Sequence, residues 1–371
     1  MSEVQTDFIV NNGQAFESSG SVASRLLKAG DYMAFRPFVG DDGRDYVPVW
    51  NGKYNENGDR EYVAKLATNA GAVLRKNEWQ FLDERLVEVA RPRLQLINTL
   101  QASGQSVNFP EAYSHSIYQY ERVSDIDDAV ISMSPKSNTG NDRTTVDIVS
   151  IPLPIIHKEF SLEAREIAIA RKTGQRLPVH MLEYCGRKVA EAAERLVLGT
   201  WGSYTYGGQS LFGLTNFPGR NIGAFLNPTV GGWNPSMLYN SVLQMIQAAH
   251  DDFQYGPYNL FYSPALMRFM LQDYTANYAG PNVLGKLQQI PGIANIQQLD
   301  YLTGNQLLLV QRDQMTASVL MGMDLRTVQW STDGGETINF RVMAMMVPLM
   351  RTDQLGRSGI VHFTGNATTA T

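Results

Sequence analysis

Pro152 and Pro154 sit one residue apart in the run "IPLPIIHKEF" (151–160), which is otherwise strand-like. In an extended chain successive N–H groups point to opposite edges, so the two prolines remove donors from the same edge. A strand built this way pairs on one side only and reads as a sheet edge or one limb of a hairpin. The surrounding region, about 113 to 160, is loosely extended. Its middle, "SPKSNTGNDR" (134–143), is turn-rich, and "TTVDIVSIPLPIIHKEF" forms the descending limb. Each limb has roughly 18 residues and would reach about 60 Å at ~3.3 Å per residue. A compact globule of this chain's 371 residues has a radius of gyration of only about 21 Å. Such a hairpin cannot all lie on its own core, and an isolated two-stranded ribbon is marginal in water. It is expected to lean on a neighbouring molecule.

Composition supports a folded chain with much covered surface. Hydrophobic residues make up 43%, ample for a core, while charged residues are only 18%, below the usual quarter. The net charge of −5 argues against a dedicated basic face for gripping nucleic acid. The single cysteine, Cys185, excludes an intramolecular disulfide framework and reads as a small buried hydrophobe. No signal-peptide pattern opens the chain, and the longest apolar stretch, "VMAMMVPLM" (342–350), is far too short for a membrane span. A soluble protein made inside the cell is expected.

Along the chain, residues 1 to about 75 are polar and turn-heavy, and read as an arm that packs on something else. "NEWQFLDERLVEVARPRLQLINTLQ" (77–101) is the first amphipathic helix, kinked or ended at Pro92. Ser161 offers an N-cap for a short helix reaching about Arg171. "LPVHMLEYCGRKVAEAAERLVLGTWG" is the strongest helix, with Val179, Leu182, Cys185, Val189, Ala193 and Leu196 in one stripe. Glu183–Arg187 and Glu191–Arg195 are opposite charges four apart on it. After a Gly/Asn/Pro-rich stretch come the helix "NPSMLYNSVLQMIQAAHDDF", the strand "YNLFYS" and a helix starting at Ser263. The strands "NQLLLVQR", "ASVLMGM", "TVQWST" and "INFRVMAMMVPLM" follow. Helices and strands segregate, giving an α+β fold class.

No motif supports catalysis, and no catalytic, cofactor-binding or metal residue is expected. "GPNVLGKL" (280–287) has phosphate-loop spacing as far as Lys286, but Leu287 stands where a Ser or Thr must ligate Mg²⁺, and a mobile surface loop fits better. The five histidines include no helical zinc pair. His157 and Glu159 could form a base–acid pair, yet an exposed limb gives them no water-excluded pocket. "GGQSLFG" misses the nucleophile-elbow spacing, and "DIDD" (125–128) lacks the Gly and terminal Glu of a calcium loop. Tyr204, Tyr206, Phe212 and Phe217 lack an accompanying basic stripe and are expected to pack a loop rather than stack on bases.

Taken in order, several stretches resemble the shell proteins of the Hong Kong 97-type fold, shared by major capsid proteins of tailed bacteriophages and by encapsulins. "IPLPIIHKEFSLEAREIAIARKTGQ" resembles the exit from the extended loop into the peripheral domain. "VAEAAERLVLGTWG" followed by "GGQSLFGLTNFPG" resembles the end of the spine helix and its turn. "YGPYNLFYSPALMRFML" resembles the opening of the axial domain. "SVLMGMDLRTVQWSTDGGETINFRVMAMMVPLM" resembles the late strands returning to the peripheral domain, and "NEWQFLDERLVEVARPRLQL" the helix before the loop. The resemblance covers about 80 to 365.

The resemblance implies an N-terminal arm (1–75), a first peripheral helix region (76–112) and an extended hairpin loop (113–160). A peripheral domain with spine helix (161–220), an axial domain (221–325), returning strands (326–350) and a C-terminal segment (351–371) would complete the chain. It also implies self-assembly as pentamers and hexamers into an icosahedral head around double-stranded DNA, held by non-specific proximity. Portal, scaffolding or decoration proteins would be partners, the protein would be made in the host cytoplasm and end in the virion, and no membrane is involved. Intersubunit contacts would come from Lys136, Asn138, Arg143, Pro152, Pro154 and His157. Some shells of this fold cross-link a loop Lys to a neighbour's Asn, for which Lys136 is the candidate. The long polar arm favours a phage capsid over an encapsulin holding protein cargo. A soluble enzyme with an unrecognised site is the alternative from another class.

Overall fold

The computed structural model describes residues 36–54, 56, 60–66, 74–109, 112–124, 131, 144–173, 180–202, 204–274, 281–353 and 355–367. Its centre is a pair of long antiparallel strands, β14 (Ala317–Thr332) and β15 (Thr337–Met350). They belong to a four-stranded sheet in the order β4 (Ser106–Asn108), β14, β15, β7 (Ile156–Glu163). "ASVLMGM" and "TVQWST", expected as separate strands, are one continuous β14. The register shifts between Met321 and Arg326 absorb the irregularity between them.

Alternation along the strands loads both faces. On one face, Ile338, Phe340, Val342 and Ala344 meet Trp79, Leu82 and Leu86 of α1 (Lys76–Ala90). Leu182, Cys185 and Val189 of α4 (His180–Leu198) close the same layer. On the other face, Met343, Met345, Val347 and Leu349 pack with Ile151, Leu153 and Leu211. Phe160 stacks on Phe340, ring centroids 5.0 Å apart. The first amphipathic helix breaks at the expected place: α1 gives way to a 3-10 turn at Arg91–Arg93 and resumes as α2 (Gln95–Ala102). Pro92 cannot donate the i→i−4 bond that a continuous helix would need.

The second body is a five-stranded sheet. Its order is β10 (Asn221–Leu226), β16 (Ile360–Ala367), β13 (Gln306–Gln311), β11 (Tyr258–Tyr262), β12 (Ile293–Gln298). Leu307 and Leu309 of β13 face α5 (Pro235–Asp251) and α7 (Val283–Gln288), while Leu308 and Val310 face the core shared with α2 and α4. A strand buried on both faces explains the unbroken apolar run "LLLV". Residues 351–371 were expected as a separate segment, yet β16 lies inside this sheet, parallel to β10 and antiparallel to β13. The axial division expected at 325/326 falls inside β14, whose pairing with β15 is continuous across it.

Other local expectations also give way to tertiary pairing. Ser161 is no N-cap: β7 continues through Glu163 because it is paired with β15 as far as Thr337, and α3 (Ala164–Thr173) starts only there. The two charge pairs foreseen on α4 do not form. Glu191 instead meets Arg187 (3.7 Å) and Lys188 (2.9 Å), and Arg195 lies over Trp201 at 5.0 Å. "GPNVLGKL" is not a surface loop, since Val283 and Leu287 are fully buried in α7 and Asn282 caps it at the Gly285 N–H. The first 75 residues are not all arm either. β1 (Phe38–Val39), β2 (Asp45–Tyr54) and β3 (Arg60–Leu66) form an antiparallel meander within the stretch read as arm, while residues 1–35 lie outside the described residues.

One buried charge ties α4 to α2. Leu94, the N-cap of α2, supplies no side-chain cap. Glu194, 2% exposed, accepts from the backbone N–H groups of Leu96 (2.5 Å) and Ile97 (3.3 Å) instead. Burial pushes the Glu194 carboxyl up to about 7, the two N–H groups pull it back down, and the Asp300 charge adds to the rise. Because the folded pKa exceeds the unfolded value of 4.5, this contribution to stability is complete below pH 4.5 and is lost as pH rises through about 7. His362 opposes it. Burial, then Arg220, push the imidazole down to about 4, so its contribution is lost as pH falls through that value.

Glu194→Gln should therefore flatten the Glu194 component, so that wild type loses up to about 3 kcal/mol against the variant between pH 4.5 and 8. Denaturant unfolding of both proteins across that range measures the difference; parallel profiles would refute the assignment. A second test concerns Gly186, mid-helix in α4, where an added Cβ would overlap Cδ1 of Leu86, itself 1% exposed. Gly186→Ala should gain ~1 kcal/mol of helix propensity but lose ~1–3 kcal/mol by overpacking. The expected result is a lower melting temperature.

Candidate assembly surfaces

The proline run is not the single strand its sequence indicates: β6 (Val146–Pro152) ends at Pro152, Pro154 lies between strands, and β7 begins at Ile156, although each of the two strands pairs on one side only. β6 pairs only with β5 (Ile117–Val123), in a two-stranded hairpin. The last cross-strand bond is donated by the Leu153 N–H to the Ser116 carbonyl, and pairing stops at Pro154, which has no N–H to give. The chain then re-enters the four-stranded sheet as β7, whose only paired partner is β15. The descending limb is thus two strands in two sheets rather than one arm of about 60 Å. Its seven paired residues in β6 span roughly 23 Å at ~3.3 Å each.

Register divides the hairpin into two faces. Tyr118 opposite Ile151 and Tyr120 opposite Val149 turn to the protein's own body, where Ile151 is buried and Tyr120 donates to the Met350 carbonyl (3.4 Å). Val123 opposite Val146, with Ile148, occupies the other face, and these three are 52%, 53% and 67% exposed. The near half of the hairpin therefore does lean on its own subunit. The uncovered part is the outer face, where Val123, Val146 and Ile148 stand exposed among the polar Gln119, Glu121 and Ser150.

The break at Leu153–Ile155 also shapes two adjoining grooves. One, of about 480 Å³, runs between β7 and α4 and is lined by Ile155, His157, Val189, Leu196, Trp201 and Tyr204. The other, of about 290 Å³, lies between Pro152, Pro154, His157, Tyr204, Tyr206 and Arg341. Pro154, Ile155, His157 and Tyr204 line both, so they form one trough. Tyr204 and Tyr206, expected to pack inside a loop, stand 36% and 50% exposed on the hairpin of β8 (Tyr204–Tyr206) and β9 (Gln209–Leu211). Phe212 and Phe217 are half-buried.

Of the residues expected to contact neighbours, Pro152, Pro154 and His157 are brought together along this trough. Lys136, Asn138 and Arg143 lie outside the described residues, as does "DIDD". His157 and Glu159 do not act as a pair: Glu159 is bound to Arg341 (2.6 Å), and the His157 Nδ1 lies 3.4 Å from the Ile155 carbonyl. Lys286 of the phosphate-loop lookalike lies over the Tyr274 ring at 5.6 Å. Cys185 is buried against the Glu159 carbonyl, and burial pushes its thiol up. Among the described residues no cluster of three or more His, Cys, Asp or Glu could hold a metal ion, and no helix is long and apolar enough to cross a membrane. Glu194 and His362 are the perturbed groups that sequence reasoning missed. Both are explained by packing: the His362 Nε2 faces the Gln306 Oε1 (3.1 Å), and Arg220 Nε donates to its Nδ1 (3.4 Å).

No curated protein sequence matches this chain. Solved structures do. A virus-like particle from Pyrococcus furiosus aligns with a TM-score of 0.56 at 15% identity, over 77% of this chain and 98% of that one. The capsid of the Myoviridae phage XM1 gives 0.55 at 13% identity, over 72% and 92%. The capsid of a native GTA particle gives 0.53 at 10% identity, over 71% and 89%. The shared architecture is the Hong Kong 97-type fold. By sequence, residues 69–363 match a family model, and the chain belongs to that family, described as a family of unknown function (DUF6260).

Proposed function

We propose that this chain is the major capsid protein of a tailed bacteriophage, assembling with copies of itself into the icosahedral head that encloses double-stranded DNA. The observation that carries the reading is the hairpin β5–β6 within a shell-protein fold: its inner face is packed, and its outer face leaves Val123, Val146 and Ile148 uncovered. A monomer gains nothing from Val123, Val146 and Ile148 in water, whereas an adjacent copy would bury them at ~25 cal/mol per Å². The task is mechanical rather than catalytic. Assembly in the host cytoplasm, pentamers and hexamers, and portal, scaffolding or decoration partners belong to the same reading. A contact role for Pro152, Pro154 and His157 follows from their place along the trough. The likeness to the archaeal virus-like particle, of which 98% is covered, favours a second reading, an encapsulin-type shell around protein cargo.

Electron cryomicroscopy of the purified protein should show closed icosahedral shells, and co-purified nucleic acid rather than a cargo protein decides between the two readings. A stable monomer under all assembly conditions would refute both. Ile148→Asp should change subunit stability by less than about 1 kcal/mol, the whole range of strand propensities. It should nevertheless shift the protein from shells to free subunits on size exclusion. Shells that form and resist heat as before would show that the outer face is not an interface.

A further inference from the structure

A separate groove, of about 450 Å³, lies between α2 and β12. No Asp or Glu lines it, although the chain carries 36 acidic residues against 31 basic ones. Arg91 and Arg312 both line it. Several other arginines are occupied: Arg36 with Asp83, Arg122 with Asp147 and Arg341 with Glu159 form ion pairs, and Arg195, Arg268 and Arg357 lie over rings. Among the described residues neither Arg91 nor Arg312 has an ion pair or a ring contact, and Arg312 is half-buried. Asp300 approaches from one side, but its carboxylate accepts from Gln95 (2.9 Å) and Gln298 (3.2 Å) and does not line the groove.

Between the arginines the walls carry neutral hydrogen-bonding groups, including Asn98 of α2 and Asn295 and Gln297 of β12, while the Thr99 hydroxyl is already engaged with the Gln95 carbonyl and the Gln297 Oε1. Asn259, fully buried, also lines the groove. Its Nδ2 donates to the Ser103 Oγ (3.1 Å), while its Oδ1 has no partner. A half-turn of that amide would keep the Ser103 contact and leave an N–H in place of the orphan oxygen. In either orientation one buried amide atom lacks a partner that a bound, hydrated ligand would supply. Arg91 precedes α2. Arg312 follows Gln311, whose carbonyl accepts from Gln105 just beyond the far end of that helix. The eight residues of α2 span roughly 12 Å at ~1.5 Å each.

We propose that this groove binds the phosphodiester backbone of nucleic acid. The two guanidiniums would take phosphates through paired N–H donors, and the amides and hydroxyls between them would take phosphate and sugar oxygens. Two charged contacts give a weak, sequence-independent and salt-sensitive grip, which agrees with the acidic balance of the chain. The inference deepens the capsid reading and rests on it only for the source of the strand, the packaged genome.

The test is fluorescence anisotropy of a labelled 20-base-pair duplex with the full-length protein across a salt series, for wild type and for the Arg91→Gln/Arg312→Gln pair. The slope of log K against log salt should fall by roughly 1.8 in the double variant, about 0.9 per lost phosphate contact, and Arg91→Lys/Arg312→Lys should largely restore it. The proposal is overturned if wild type does not bind at low salt, or if the slopes coincide. It is equally overturned if inorganic phosphate, or a peptide of the acidic residues 1–24 (Glu3, Asp7 and Glu17, with no Lys or Arg), competes as well as unlabelled duplex. Electron microscopy of the same variants separates the two claims: normal shells with an unchanged slope remove the groove alone, and absence of shells in wild type removes the capsid reading.

Discussion

The pairing of β14 with β15 is the contact on which the rest of the molecule depends. Both strands bury side chains on both faces, so the ribbon cannot exist alone in water and recruits a layer on each side. α1 and α4 cover one face, and the base of the β5–β6 hairpin covers the other through Ile151 and Leu153. The hairpin's inner face is therefore pinned to the central strand pair of its own subunit, and only its outer face remains for a neighbour. A rigid root with a free apolar face would transmit load between subunits, which suits a shell protein.

The two bodies of the subunit meet through α2 and α4, whose side chains share one core with β11, β13 and β14. At that junction a buried carboxylate replaces an ordinary helix cap. Glu194 holds the first turn of α2 at the cost of its own desolvation, and its proton affinity rises accordingly. A leucine at this position would spare the desolvation but leave the Leu96 and Ile97 N–H groups without partners in a dry interior, where each costs ~1–3 kcal/mol. The kink at Pro92 and the groove between Arg91 and Arg312 flank the same helix. The junction that joins the two bodies thus also presents the groove proposed to meet phosphate.

Much of this was legible beforehand wherever one period dominated. The α4 stripe of Leu182, Cys185, Val189, Ala193 and Leu196 is buried as its spacing indicated (Val179 lies outside the described residues), the break at Pro92 falls where the missing N–H requires it, and the two prolines mark a one-sided limb. Expectations failed where a local signal competed with a distant partner. Ser161 carries a good capping side chain, but its backbone was already committed to β15 through the Asn339 register. "GPNVLGKL" was expected as a surface loop, but Val283 and Leu287 are drawn into the core beside α5.

Taken alone, the order of residues settled the break at Pro92, the buried stripe of α4, the absence of a recognisable catalytic motif and the one-sided pairing along the proline run, because each follows from local periodicity, motif spacing or a missing backbone donor. Only the folded chain decided that β16 enters the middle of the five-stranded sheet, that Glu194 reaches the start of α2, and that Arg91 and Arg312 line one groove. Those are pairings between positions far apart along the backbone. No local pattern encodes which distant strand or carboxylate will satisfy a buried donor, and that choice is made by packing the whole core at once.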